Sequence, residues 1–203
     1  MTPVYRKSYP PPPIDEKAVL RYAGCREASA DMLALLRECR EMAEPVLTYR
    51  LLYRELPLTV AGNDCAFGST RVRSASLASH MAGCGRVILL AATVGLGLDR
   101  LITKQSRLSP SHALMLQALG TERIEALCDL FSAEMAEEKK AVGLFCRSRF
   151  SPGYGDLPLS LQADLFSLLD CERSIGLTLT GSGMMSPTKS VTALIGVKKQ
   201  ELL

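Results

Sequence analysis

The run Val87-Ile-Leu-Leu-Ala-Ala92 has no polar atom in any side chain. Six residues are far short of the roughly 20 that a helix needs to cross a bilayer. They suit a strand buried on both faces, because a strand covered on one face only alternates apolar with polar residues. Such a strand needs partners on its edges and packed layers above and below, so the chain is expected to build around a central sheet. Its 203 residues suffice for one substantial core.

The flanking pattern supplies helices to cover that sheet. Asp15 is placed to cap a helix over 16–23 that ends at Gly24. From Ser29, the residues Met32, Leu33, Leu35, Leu36, Cys39, Met42 and Ala43 recur at three- and four-residue spacing until Pro45, which marks a core-facing helix. The stretch 74–81 suits a short helix, and 93–103 turns into another. Pro110 stands near the N1 position of a long helix running to about Val142, and 158–169 reads as loop entering a helix. Strands are expected within 46–67, where TYRLLYRELPLTV precedes a Gly-Asn-Asp turn at 62–64, and over 145–149, 175–180 and 191–197. The residues by themselves therefore predict a mixed α and β domain. The opening MTPVYRKSYPPPPIDEK lacks an apolar signal core and reads as an extended proline-rich arm over 1–13, ahead of a single domain over 14–203. A cytoplasmic, membrane-free protein is the expectation.

Several functional classes lose support at this stage. The seven cysteines, 25, 39, 65, 84, 128, 146 and 171, are odd in number and hold no Cys-x-x-Cys pair, so they read as reduced structural thiols. A net charge of +3, with acids and bases interspersed, is too weak to signal nucleic-acid binding. His80 and His112 are too few to anchor a metal site alone. Serines lack the Gly-x-Ser-x-Gly setting of a hydrolase nucleophile. Gly95 and Gly97 follow the apolar strand as a dinucleotide-binding loop would, but Arg100 stands where the third glycine belongs. A plain strand-to-helix turn is the better reading there.

More informative is CRSRFSPGYGDLP, residues 146–158. Pro152-Gly153 can fold the chain sharply and bring the Arg149 guanidinium and the Tyr154 ring to one side. Arg149 suits a carboxylate, held by paired hydrogen bonds, and Tyr154 suits packing against a ligand with an adenine ring. Gly153 and Gly155 would let backbone amides approach that ligand. The competing reading is an ordinary surface turn with an exposed arginine.

RFSPGY also resembles the Arg-x-x-x-Gly-Tyr signature of the activation domain of vitamin B12-dependent methionine synthase. Downstream, IGLTLTGSGMMSPTKSV at 175–191 is similar to the segment of that family in which Gly-x-x-Leu-Thr leads through Ser-x-x-Met to Pro and Ser-Val. Upstream, ALGTERIEALCDLF at 118–131 resembles its long helix and includes Glu125. PIDEKAVLRYAG and CGRVILLAATVG look like the small stand-alone relatives of the domain. The resemblance implies an α+β fold with a mixed, largely antiparallel central sheet and flanking helices. It also implies S-adenosylmethionine binding in a shallow groove, with the methyl group presented to a cobalamin held by another protein. On this basis Arg149 would meet the methionyl carboxylate, Gly153 and Tyr154 would shape the adenosyl side, and Pro152 would stiffen the turn. Glu125 would favour the sulfonium cation, against the bland reading of a solvated helix-face carboxylate.

The implied partners are a cobalamin-dependent methionine synthase lacking its own activation domain and a flavodoxin- or ferredoxin-like electron donor. The chain would be one component of reactivation rather than a complete enzyme. A non-catalytic S-adenosylmethionine sensor, or an accessory factor for another corrinoid protein, is the alternative. A conventional methyltransferase would need the complete glycine-rich loop that is missing here. Gly181 stands where the long enzymes carry an acidic residue, Ser186 replaces an aromatic one, and the sequence ends before their tyrosine-bearing C-terminal segment. The first two departures imply a more open groove, and the third implies lower affinity or a pocket completed by a partner.

Overall fold

The computed structural model describes residues 2–25 and 27–199. The predicted apolar strand is the centre of the molecule. Strand β5 (Arg86–Thr93) lies between β2 (Tyr49–Ala61) and β9 (Ser190–Lys199), antiparallel to both. The sheet continues through β3 (Asp64–Phe67) to β4 (Thr70–Arg73) on one side and ends at β6 (Leu144–Phe150) on the other. The proline-rich arm holds a strand that the residue pattern did not announce. This strand, β1 (Tyr5–Tyr9), pairs with Tyr49–Tyr53 on the edge of β2 that β3 leaves open. All these pairings are antiparallel.

Alternation along β5 divides the core in two. Ile88, Leu90 and Ala92 face one cluster, packed by α1 (Glu16–Tyr22), α2 (Ala30–Ala43), α4 (Leu96–Leu108) and α5 (Pro110–Lys140). Val87, Leu89 and Ala91 face the other, packed by α3 (Ala75–His80), α6 (Leu161–Leu169) and α7 (Cys171–Ile175). All six of these β5 side chains have no exposed surface, which is why neither face carries a polar residue.

Side-chain caps set three helix starts, of which the Asp15 cap was expected from the sequence. Asp15 accepts from the Ala18 amide, Ser29 from Met32 and Ser74 from Leu77. Pro110 is the first residue of α5, whose core face runs through Leu116, Leu119, Leu127, Phe131 and Met135. Helix α4 continues five residues beyond the expected end at Thr103. The expected strand over 175–180 is mostly not one. Ile175 ends α7, and only Thr178–Leu179 (β7) pairs, with Met185–Ser186 (β8), in a small separate hairpin. Ile175 and Leu177 are drawn into the α6 core instead of a ladder.

Gly95 and Gly97 have a packing explanation. Gly95 has φ of +91°, and a Cβ on it would strike the Thr48 hydroxyl. A Cβ on Gly97 would lie 2.5 Å from the Val46 carbonyl oxygen. The glycines let the β5–α4 turn pass close under the start of β2, as the strand-to-helix reading requires.

Candidate functional site

The site begins with an irregularity in β6. Cys146 pairs with Val197, but Arg149 pairs with Ile195, so Arg147 and Ser148 together oppose Gly196 in a β-bulge. Without it, Arg149 would oppose Leu194 and face the α6 core. The extra residue turns Arg149 onto the α5 side and Phe150 onto the other. A Cβ on Gly196 would lie 2.6 Å from Met81 Sδ and 2.7 Å from Cys84 Sγ, so the strand opposite the bulge has no room for a side chain.

Turned this way, Arg149 meets two carboxylates one helical turn apart on α5. Nη2 donates to Glu125 Oε2 at 2.8 Å, and Nη1 donates to Asp129 Oδ1 at 2.7 Å and to Ser132 Oγ at 3.3 Å. Burial works against the Arg149 charge, but Cys128, Asp129 and Glu125 around it outweigh that and raise its pKa. One cation against two carboxylates leaves the group with a net charge of about −1, favourable for a cationic ligand. The Glu125 and Asp129 side chains remain 43% and 73% exposed, so they can exchange partners without leaving water.

After β6 the chain enters the Pro152-Gly153 turn. Gly153 has φ of +94°, and its amide donates to the Leu157 carbonyl, closing the loop on itself. This differs from the expectation of free glycine amides facing a ligand. Gly155, at φ of +55°, is needed because a Cβ would lie 2.5 Å from Ser76 Oγ of α3. Asp156 fastens the loop there, accepting from the Ser74 hydroxyl at 2.5 Å and from the Ala75 and Ser76 amides at 2.7 and 3.0 Å. The Ser74 bond and the amides hold its pKa well below the usual carboxylate range.

These elements border an open cleft of about 540 Å³. Arg149, Pro152, Tyr154 and Glu125 all line it, while Gly153 shapes the turn between Pro152 and Tyr154. Tyr154 is 64% exposed, with its ring edge-on to Phe150 at 6.3 Å. Asp129, Ser132, Met185, Gln162 and Thr192 also line the cleft and were not singled out as ligands from the sequence. The i, i+4 spacing of Glu125 and Asp129 was a usable signal, since it puts two carboxylates on one helix face. Gln162 Oε1 and Thr192 Oγ1 are buried without hydrogen-bond partners. A buried polar group left unpaired costs about 1–3 kcal/mol.

The histidines are held by other contacts. His80 Nε2 lies 2.8 Å from the Ser148 carbonyl and its ring packs at a tilt against Phe150, while His112 bonds Ser109 and Glu38. Among the described residues, no cluster of three His, Cys, Asp or Glu is placed to hold a metal, and no helix is long and apolar enough to cross a membrane. Gly181 sits at the β7–β8 tip facing open space, and the Ser186 carbonyl accepts from Thr178 Oγ1.

Comparison with known proteins agrees with this architecture. A search of curated protein sequences gives no match. The crystal structure of the MetH reactivation domain bound to AdoHcy superimposes with a TM-score of 0.69. Identity is 15%, over 99% of this chain and 80% of that one. The family model for the vitamin B12 dependent methionine synthase activation domain matches residues 82–201, which hold β5, α5, the bulge and the whole Arg149–Tyr154 turn. This chain therefore belongs to the vitamin B12-dependent methionine synthase activation domain family.

Proposed function

We propose that the cleft binds S-adenosylmethionine, and that the protein serves reductive remethylation of cobalamin in a methionine synthase acting in trans. The observation that carries this reading is Arg149 bracketed by Glu125 and Asp129 at the side of a cleft of about 540 Å³. That volume lies within the range of small-molecule sites. The arrangement suits a ligand with an amino-acid head and an additional positive charge. Arg149 takes the ligand carboxylate bidentately and gives up Asp129, and the two α5 carboxylates then face the ligand's ammonium and sulfonium groups. Tyr154 offers an exposed ring for the adenosyl group, and the Asp156 clamp keeps its loop in place.

S-adenosylmethionine supplies an electrophilic methyl group when bound. The side chains described bind and orient; none is required as a nucleophile, since the acceptor is cobalamin carried by the partner. The partner is a synthase lacking its own activation domain, with a flavodoxin- or ferredoxin-like donor, in the cytoplasm.

Calorimetric titration with S-adenosylmethionine and S-adenosylhomocysteine tests the site. Arg149→Ala should weaken binding by roughly ten- to a hundredfold, the effect of losing a charge-assisted hydrogen-bond pair. Equal affinity in wild type and variant would refute the assignment. Remethylation of cobalt(II) cobalamin on such a synthase should then depend on adding the protein. Saturable binding with no stimulation of any such synthase would favour the sensor reading.

A further inference from the structure

Helix α3 meets the segments that build the cleft at both of its ends. Its first turn receives Asp156, which fastens the loop carrying Tyr154. Its last residue, His80, reaches the bulge in β6. Leu77 and Met81 are fully buried in the α6 core, which fixes the helix against the sheet.

The contacts of His80 fall on the two residues that flank Arg149. A bulge leaves its extra residue out of the ladder, so the main-chain groups there must find partners elsewhere. Here the Ser148 carbonyl lies 2.8 Å from His80 Nε2. A carbonyl only accepts, so Nε2 carries the proton. Phe150, which follows Arg149, packs at a tilt on the His80 ring with centroids 5.0 Å apart, and its own ring meets Tyr154 edge-on. Arg147 adds a tie at the same corner, since its Nη2 donates to the Ala82 carbonyl at 3.2 Å. Ser148 and Phe150 are thus both held from the α3 side. Arg149, between them, is directed to the α5 side, where Glu125, Asp129 and Ser132 receive it.

We propose that His80 is a positioning residue for the cleft: its bond to the Ser148 carbonyl holds the bulge in the form that aims Arg149 across α5, and so sets how tightly the cleft takes a ligand carboxylate. His80 lies outside the cleft lining and acts through the main chain of Ser148, which is part of that lining. Without the donor, the 147–149 segment is free to turn, Arg149 divides its time among other rotamers, and ligand binding must pay to order it again. The effect on affinity rests on the S-adenosylmethionine reading; the effect on Arg149 does not.

The test compares His80→Phe, which keeps a ring on Phe150 without a donor, with His80→Gln, whose amide places an N–H close to where Nε2 stands. Nitrogen NMR of the free proteins reads the Arg149 guanidinium, identified by its disappearance in Arg149→Ala. Its Nη protons should give resolved signals in wild type and His80→Gln, and averaged ones in His80→Phe. Calorimetry with S-adenosylhomocysteine should show about fivefold weaker binding in His80→Phe and less than about twofold in His80→Gln, the scale of one hydrogen bond. His80→Asn, too short to span to Ser148, replaces His80→Phe if that variant fails to fold by circular dichroism. The assignment falls if the Arg149 signals are averaged in wild type, or stay resolved in His80→Phe, because the bond then does not hold the guanidinium. It falls if His80→Gln loses them as His80→Phe does, because ring packing and not the donor is then what matters. Averaged signals with unchanged affinity, or weaker binding with unchanged signals, overturn the link from Arg149 to the ligand. If wild type binds no S-adenosylhomocysteine while the signals follow the expected pattern, the ligand reading falls and the positioning of Arg149 stands.

Discussion

Asp156 shows how one exposed side chain holds the candidate site together. Its carboxylate takes three donors at the N-terminus of α3 and pins the loop that carries Tyr154. Its pKa is depressed in the folded protein by the Ser74 hydroxyl and the Ser76 and Ala75 amides. A depressed carboxyl contributes stability that is present above its unfolded pKa of about 3.9 and is lost as pH falls through the folded value. Asp156→Asn should therefore lower the urea midpoint at pH 7, and its gap to wild type should narrow as the pH is brought down toward 3. A gap independent of pH would show that the carboxylate charge has no part in the clamp.

At the scale of elements, the bulge in β6 decides which chemistry the cleft can do. It exists where Gly196 leaves room for Met81, Cys84 and Arg147 against the sheet. Gly196→Ala would set a methyl group 2.6 Å from Met81 Sδ and 2.7 Å from Cys84 Sγ in a packed interior. The expected result is destabilisation by about 1–3 kcal/mol in chemical denaturation, with weaker S-adenosylmethionine binding in the folded fraction as Arg149 shifts. Unchanged stability and affinity would show that the sheet opposite the bulge yields easily. The N-terminal arm is secured at the same scale. Arg123 and Glu122 form a buried pair on α5, and Arg123 donates to the Pro12 and Pro13 carbonyls at 2.6 and 2.9 Å. Glu122 in turn accepts from the Asp15 amide at 3.0 Å. Two unusual features, a proline run with unpaired carbonyls and a buried charge pair, thereby satisfy each other.

Across the whole molecule, the sheet splits the interior into two cores, and the seven thiols are distributed between them. Cys39, Cys65, Cys84, Cys128 and Cys171 are buried, and Cys25 and Cys146 are half-buried. Burial pushes Cys39 up to about 11 and Cys128 and Cys171 up to about 12. Because the thiolate is the reactive form, these three should resist a thiol reagent at pH 8 in native protein and react together on unfolding. Cys25 should be modified first. Early labelling of Cys128, which packs beneath Arg149, would show that α5 separates from the sheet in the native state.

Much of the architecture was readable in the chain because it rests on local chemistry. The apolar run at 87–92 implies its own burial on both faces. The Asp15 cap, the three- and four-residue spacing over 32–43 and the Pro110 start announce their helices without reference to the rest of the molecule. The Arg-x-x-x-Gly-Tyr turn was likewise visible as a turn carrying an arginine and an aromatic ring, and both line the cleft. Pairing in space was not visible. Strand β1 has too little pattern to be distinguished from an arm until β2 offers it an open edge. The bulge that turns Arg149 toward Glu125 and Asp129 depends on Gly196, nearly fifty residues away, and on the side chains packed beneath it. Gln162 and Thr192 are unremarkable in sequence, and only the folded structure shows them buried with an unpaired side-chain oxygen. Local periodicity and capping act within a few residues, so one chain suffices to read them; register, facing and unmet hydrogen bonds are relations between distant segments, and they exist only once the sheet has formed.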